Sequence, residues 1–476
     1  MNSKMTTRRA ANRVGRFCEP LETRRLLSEI LSAPGKPHVM EISAVGANDV
    51  VWAPASDNDG GGISYTLWYK QLGSHVAVPA GTTSGDSLPL CNGYPTDPIS
   101  PRTGYLVWVV SKDNNSGVSR ASVGSRFRTD DPLTPAMVRK AYGFNQIYKE
   151  GYQGQGEVIG LAELGSDPTL AADITNFDRM FHLAPPDLEV VNESGGSSPM
   201  PPDTGHGHEI ALDVEWAHAI APDAKIVVVE GNDSTTDTTT SIQGLLAAAQ
   251  EAASLGASVV SMSYGYDESA FDASGVGTVQ QLDSDFQKSG VTFVAAAGDF
   301  FGQPGWPSVS ADVLSVGGTQ MSLGSSGNFN NEIVWQNVDL SDSTKGSGSG
   351  YGQFSSQDDP SGRQTPDVSY AADGYSWYFD GALNTEGFGT SFGSPQWAAL
   401  LALVDEGRQR KGLENLDSNT GGDTSLEIHD ALASAAATDF RDNSASFGEP
   451  ASQGSNIQTG LGTPTANLMN YLITYQ

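Results

Sequence analysis

Cysteine is almost missing from this chain. Cys18 and Cys91 are the only two in 476 residues, so a packed core rather than a disulfide framework must hold the fold. Long apolar runs are missing too: no stretch of eighteen apolar residues occurs, which leaves nothing to cross a membrane as a helix. Positive charge is scarce, with 26 Lys and Arg against 56 Asp and Glu. The resulting formal charge of −30 excludes nucleic acid and anionic lipid as partners, since both are polyanions. So acidic a surface suits acid or salt, where protonation or screening relieves its self-repulsion. The length exceeds what one core usually holds, so two domains and a leader are expected.

The few basic residues gather at the start. Residues 1–33 carry Lys4, Arg8, Arg9, Arg13, Arg16, Arg24 and Arg25 with no continuous apolar segment, unlike an ordinary signal peptide. Within them, Glu19-Pro20-Leu21-Glu22-Thr23-Arg24-Arg25-Leu26-Leu27 resembles the Leu-Glu-Pro-Arg leaders of large extracytoplasmic planctomycete proteins, with Thr23 in place of the usual proline. That resemblance implies an extracellular, cell-surface or periplasmic protein. Residues 34–130 change to short alternating runs such as Ser64-Tyr65-Thr66-Leu67-Trp68-Tyr69 and Tyr105-Leu106-Val107-Trp108-Val109-Val110. Turn clusters separate these runs, as in an all-β antiparallel sandwich. Trp52, these two strands and Asn114-Asn115-Ser116-Gly117 resemble a fibronectin type III module, whose aromatics are read here as core rather than as a ligand platform.

Asp130-Asp131-Pro132 forms a linker, and over residues 131–476 strands and helices alternate. Strands are expected at 157–163, 225–230, 258–263 and 291–297, with helices at 168–181, 239–255 and 275–289. This is an α/β pattern with a parallel sheet covered on both faces. The Gly/Ser-rich 342–356 reads as a surface loop.

The chemistry centres on Gly387-Phe388-Gly389-Thr390-Ser391-Phe392-Gly393-Ser394-Pro395, which runs into an apolar helix. A serine behind glycines at the first turn of a helix has an open hydroxyl, and its own N–H is among the unpaired donors. Acyl transfer needs that geometry, although the same residues also read as a simple helix cap. Gly-Thr-Ser followed by Pro395 on an Ala-rich helix resembles the nucleophile motif shared by subtilisins and sedolisins, the serine-carboxyl peptidases. Three stretches discriminate between the two. Ile210, Ala211, Val214 and Ala217 follow helical spacing and put Glu209 and Asp213 on one face, which resembles the sedolisin Glu-x-x-x-Asp helix. There the glutamate is the general base and the aspartate orients it. Asp299 follows a buried-strand pattern and Ala297-Gly298, where subtilisins have asparagine and sedolisins the aspartate that donates to the oxyanion. Such a donor must carry its proton. Glu163, at the end of its strand, resembles the extra acid of the kumamolisin branch.

The resemblance covers essentially all of 133–476 and implies further residues. Ser263, Tyr264 and Gly265 stand where the family adds extended substrate as a β-strand. Tyr264 replaces the tryptophan often seen there. Asp439, Phe440, Ser452, Gly454 and Asn456 match the sedolisin calcium loop, two of them through side chains and three through carbonyls, so one Ca2+ ion is expected. Asn456 takes the place of an aspartate, which weakens the ion. His208-Glu209-Ile210-Ala211-Leu212 fails the zinc-protease pattern because Leu212 stands at the second ligand position.

The resulting expectation is a secreted, monomeric serine-type endopeptidase with an α/β subtilisin-like catalytic domain, acting on peptide or protein substrates at acidic pH. Two alternatives stay open: a binding or adhesion protein that uses a peptidase-like domain without turnover, and a Ser-His-Asp subtilisin using His206.

Overall fold

The computed structural model describes residues 32–39, 49–56, 60, 62–72, 74, 76–89, 104–128, 132–201, 207–267, 282–300, 303–323, 328–335, 347–348, 350–351, 363–423, 425–441 and 458–476. The leader through residue 31, both cysteines, His206, most of 342–356, and Ser452, Gly454 and Asn456 lie outside the described residues. The chain divides into two compact units, with Gly104–Phe127 closing the first and Arg128–Gln476 carrying almost all of the second.

The first unit is antiparallel. Val78–Thr83, Ile63–Gln71, Gly104–Asp113 and Ser119–Ala121 form one sheet, with Ser125–Arg128 also pairing to Gly104–Asp113; His38–Val39, Asp49–Val51 and Ser87–Pro89 form another. Alternation sorts the side chains by face: Tyr65, Leu67, Tyr69, Tyr105, Val107 and Val109 are buried, joined by Trp52. Trp68 and Trp108 depart from the core reading. They are direct cross-strand partners on the opposite, half-buried face and stack at 6.4 Å.

In the second unit apolar runs built a sheet whose central strands are buried on both faces. Its order is Asp187–Asn192, Lys225–Gly231, Val158–Leu164, Val259–Met262, Thr292–Ala296, Leu314–Leu323, with Val368–Ala371 parallel to Leu314–Leu323 and Phe329–Val334 antiparallel to it. Successive residues serve opposite cores. Ile226 and Val228 pack with the helices Gly207–Ile220 and Gly393–Arg410, while Val227 and Val229 pack with the helix Thr238–Ser254. Asp237 caps that last helix by accepting from Thr239 N at 3.1 Å. Gly244 lets the helix close on the sheet, since a Cβ there would lie 2.0 Å from Asn232 O.

Strands and helices fall close to their expected positions with one exception. Of the helix expected at 275–289, the described part ends in a single 3-10 turn, Ser284–Phe286, and Gln287 leaves the helical region at ψ 85°. Gly290, at φ 71°, reverses the chain into the next strand.

Candidate active site

The hairpin Asp373–Phe379 and Ala382–Phe388 delivers the chain to Gly389, whose φ of 129° is open only to glycine. A Cβ there would also lie 2.9 Å from Asp299 Oδ2, so the glycine admits the acid. Ser391 lies in the 3-10 turn Thr390–Phe392, and the helix Gly393–Arg410 begins two residues later. The expectation that Ser391 occupies the first turn of that helix is therefore corrected: the tighter turn comes between them. Burial of nearly the whole helix, and a 2.8 Å hydrogen bond between Ser394 and Ser261 hydroxyls, hold the turn against the sheet. The half-buried Ser391 hydroxyl donates to the Ser263 carbonyl at 3.5 Å.

The helix Gly207–Ile220 carries Glu209 and Asp213 one turn apart, as expected, but it is buried on all sides rather than along one stripe. Glu209 is half-buried with Oε1 shielded from water, and Asp213 and Glu163 are wholly buried. Burial and the charge of Asp213 raise Glu209 well above the usual carboxylate range, against a hydrogen bond from Ser391 that favours its ionised form. Burial, then the neighbouring Glu163, does the same to Asp213. Glu163 is pushed up to about 8 by burial and by Glu209, against hydrogen bonds from Asp213 and Tyr264. Among the groups acting on these three acids there is no cation. At close range they cannot all ionise, so their protons belong to the group.

Asp299 follows the strand Thr292–Ala296 and meets the turn from the other side. Its Oδ1 accepts from Thr390 N at 2.8 Å and from Thr390 Oγ1 at 3.0 Å. Its charge acts on Glu209, which places the two acids around the same serine. The structure thus brings Ser391, Glu209, Asp213, Glu163 and Asp299 together.

Ser263, Tyr264 and Gly265 leave the end of the strand Val259–Met262 beside them. Two of these residues have an unforeseen use. Ser263 Oγ donates to Asp213 Oδ2 at 2.7 Å, and the Tyr264 side chain is buried, where it acts on Glu163. Only Gly265 is exposed.

A second group of acids holds the hairpin that leads to Ser391. Buried Asp173 accepts from Asp380 N at 3.0 Å and Gly381 N at 2.8 Å across its turn, and buried Glu215 accepts from Tyr378 N at 2.9 Å. Burial, then the charges of Asp173, Asp178 and Asp167, raise Glu215 well above its usual range. Elsewhere Arg363 and His429 flank Asp367. Burial would raise Asp367, but the two cations outweigh it and hold the acid at about 2. Burial would lower His429, but Asp367 and Glu427 hold it at about 10.

These shifts fix a pH dependence of stability. Glu163, Glu209, Asp213 and Glu215 have folded-state values above the unfolded value near 4, so they favour the fold in acid and cease to as pH rises through the folded values. His429 contributes fully below about 6.5 and is lost only toward about 10, while Asp367 contributes above about 4 and is lost toward about 2. Melting temperature is therefore expected to be highest near about pH 4 and to fall toward about pH 8. Calorimetric melting across that range checks it, and a melting temperature that rose with pH would contradict it.

Of the calcium candidates, Asp439 ends the 3-10 turn Ala437–Asp439 with Oδ2 accepting from Ala436 N at 3.0 Å. Phe440–Arg441 pairs antiparallel with Thr463–Pro464, so the chain leaves and returns at adjacent points, with the other three candidates between them in sequence. The oxygen-only donor set suits a hard cation. Among the described residues no three His, Cys, Asp or Glu gather to hold a metal.

The sequence pattern of the subtilase family matches residues 167–455. Kumamolisin of Bacillus sp. (strain MN-32) is 30% identical over 297 residues, 57% of this chain and 52% of that protein. Sedolisin of Pseudomonas sp. (strain 101) is 29% identical over 240 residues, 44% of this chain and 38% of that protein. The chain spans about half or less of the length of these curated relatives. Among solved structures, Pseudomonas sedolisin (serine-carboxyl proteinase), complexed with two molecules of pseudo-iodotyrostatin, superposes with a TM-score of 0.60 at 21% identity. That match covers 72% of this chain and 98% of the other, and at that identity it speaks to the fold alone.

Proposed function

Because the chain belongs to the subtilase family and is similar to kumamolisin and sedolisin, we propose that it is a secreted serine-carboxyl endopeptidase working in acid. The observation that carries the reading is the convergence of Ser391, Glu209, Asp213, Glu163 and Asp299 from one turn, one helix and two strand ends. Ser391 Oγ attacks the peptide carbonyl as Glu209 takes its proton. The tetrahedral intermediate's oxygen is stabilised by a protonated Asp299 and the Ser391 N–H. Glu209 then gives its proton to the leaving amine, and water repeats the sequence to release the acyl group. Asp213, steadied by Ser263 and Glu163, orients Glu209. Substrate backbone lies along Ser263, Tyr264 and Gly265, and the burial of Tyr264 leaves that edge to main-chain contacts. Protein digestion assayed from about pH 2 to about 9 tests the reading. Acid-side hydrolysis lost in Ser391→Ala supports it, and none at any pH overturns it.

The finer assignments belong to the same proposal: a fibronectin type III-like first unit, an extracytoplasmic location, a monomer, and one calcium ion. Asp439 and Asn456 would hold the ion through side chains, and Phe440, Ser452 and Gly454 through carbonyls. The ion would tie the ends of its loop together. A ligand bound only by the folded state stabilises it by mass action, so melting temperature should rise with calcium concentration, and Asn456→Asp should reach the same rise at lower calcium. Identical melting curves in chelator and in excess calcium would remove the ion.

A further inference from the structure

Thr390 does more than precede the nucleophile. It is 1% exposed, and its hydroxyl is fixed from two sides: Oγ1 accepts from Gly298 N at 3.0 Å and donates to Asp299 Oδ1 at 3.0 Å. The Thr390 N–H donates to the same Oδ1 at 2.8 Å. With the Gly298 N–H occupying a lone pair of Oγ1, the hydroxyl proton has Asp299 as its acceptor. Both donors from this residue therefore converge on one carboxyl oxygen. The other, Oδ2, lies against Gly389, at the position where a Cβ would come within 2.9 Å.

A neutral carboxyl donates through its hydroxyl oxygen and accepts best at its carbonyl oxygen, so two N–H or O–H donors meeting one oxygen favour that oxygen as the carbonyl. We propose that Thr390 is a positioning residue that makes Oδ1 the acceptor and so keeps the proton of neutral Asp299 on Oδ2, the oxygen that donates to the oxyanion. This rests on the peptidase reading above. Without the hydroxyl, one clamp of two remains, and Asp299 is free to place its proton on either oxygen. The hydroxyl also favours the ionised carboxylate, the stronger acceptor, so removing it moves Asp299 ionisation to higher pH.

Thr390→Val, which keeps shape and loses the hydroxyl, and Thr390→Ser, which keeps the hydroxyl, separate proton placement from packing. In Thr390→Val, kcat is expected to fall about 10- to 100-fold at little change in KM, with the basic limb of the kcat/KM profile moved to higher pH. Thr390→Ser should stay near the parent in both. Infrared difference titration of the Asp299 carboxyl, identified by subtracting Asp299→Asn, should show the same upward move in Thr390→Val. An unchanged Thr390→Val overturns the proposal. So does a loss shared equally by Thr390→Ser, or a loss in which neither limb nor infrared titration moves. A parent protein that cleaves no peptide would instead defeat the peptidase reading, while the infrared titration still decides the role of Thr390.

Discussion

Ser391→Ala and Glu209→Gln are each expected to reduce peptide hydrolysis on the order of 10^6-fold, while leaving the melting temperature within a few degrees of the parent or raising it. The loss is large because nucleophile and base act as one unit, so removing either removes the step. Folding survives because the half-buried Ser391 hydroxyl contributes only a long hydrogen bond to the Ser263 carbonyl, at 3.5 Å, and its contact with Glu209, and Glu209→Gln keeps the size of a side chain that is only half-buried. Glutamine also removes a charge from a group that contains no cation. His206→Ala should leave activity unchanged. Parallel rate and melting measurements on the three variants check this. Activity lost in His206→Ala and kept in Glu209→Gln would transfer the base to histidine and refute the carboxyl mechanism.

The parallel sheet was legible because strands buried on both faces read as unbroken apolar runs, as at Lys225–Gly231 and Thr292–Ala296. The four acids and the serine were legible as residue types at strand ends and at helical spacing, and the structure gathers them around one turn. Direction was less legible. Nothing in Ser263-Tyr264-Gly265 says that the tyrosine is buried and acts on Glu163, because side-chain direction past a strand end is set by what surrounds it. In so acidic a chain, spacing does not separate the buried Asp173 and Glu215 from solvated acids. The apolar stripe of Gly207–Ile220 pointed to one covered face where the helix is covered on all. The role of Thr390 depends on Gly298 and Asp299, about ninety residues earlier, and only tertiary geometry brings them together.

An acid optimum follows from counting protons. In the working state Glu209 is ionised and Asp299 is neutral. Glu163, pushed up to about 8, keeps its proton throughout the acid range, and burial beside Glu163 raises Asp213 in the same direction. With Asp213 and Asp299 both neutral, two of the three causes that raise Glu209 disappear, leaving burial opposed by the Ser391 hydrogen bond. Glu209 is also the least buried of the three, so the first negative charge of the group settles there. Further ionisation puts a second charge beside it without a cation to offset either, and ends the working state. The singly charged state should therefore peak between about pH 3 and 6, whereas a histidine base needs pH above about 6.5. The most direct test of this account is kcat/KM against pH for a quenched peptide: a bell on the acid side is the predicted result, and a profile flat or rising from about pH 6 to about 9 would contradict it.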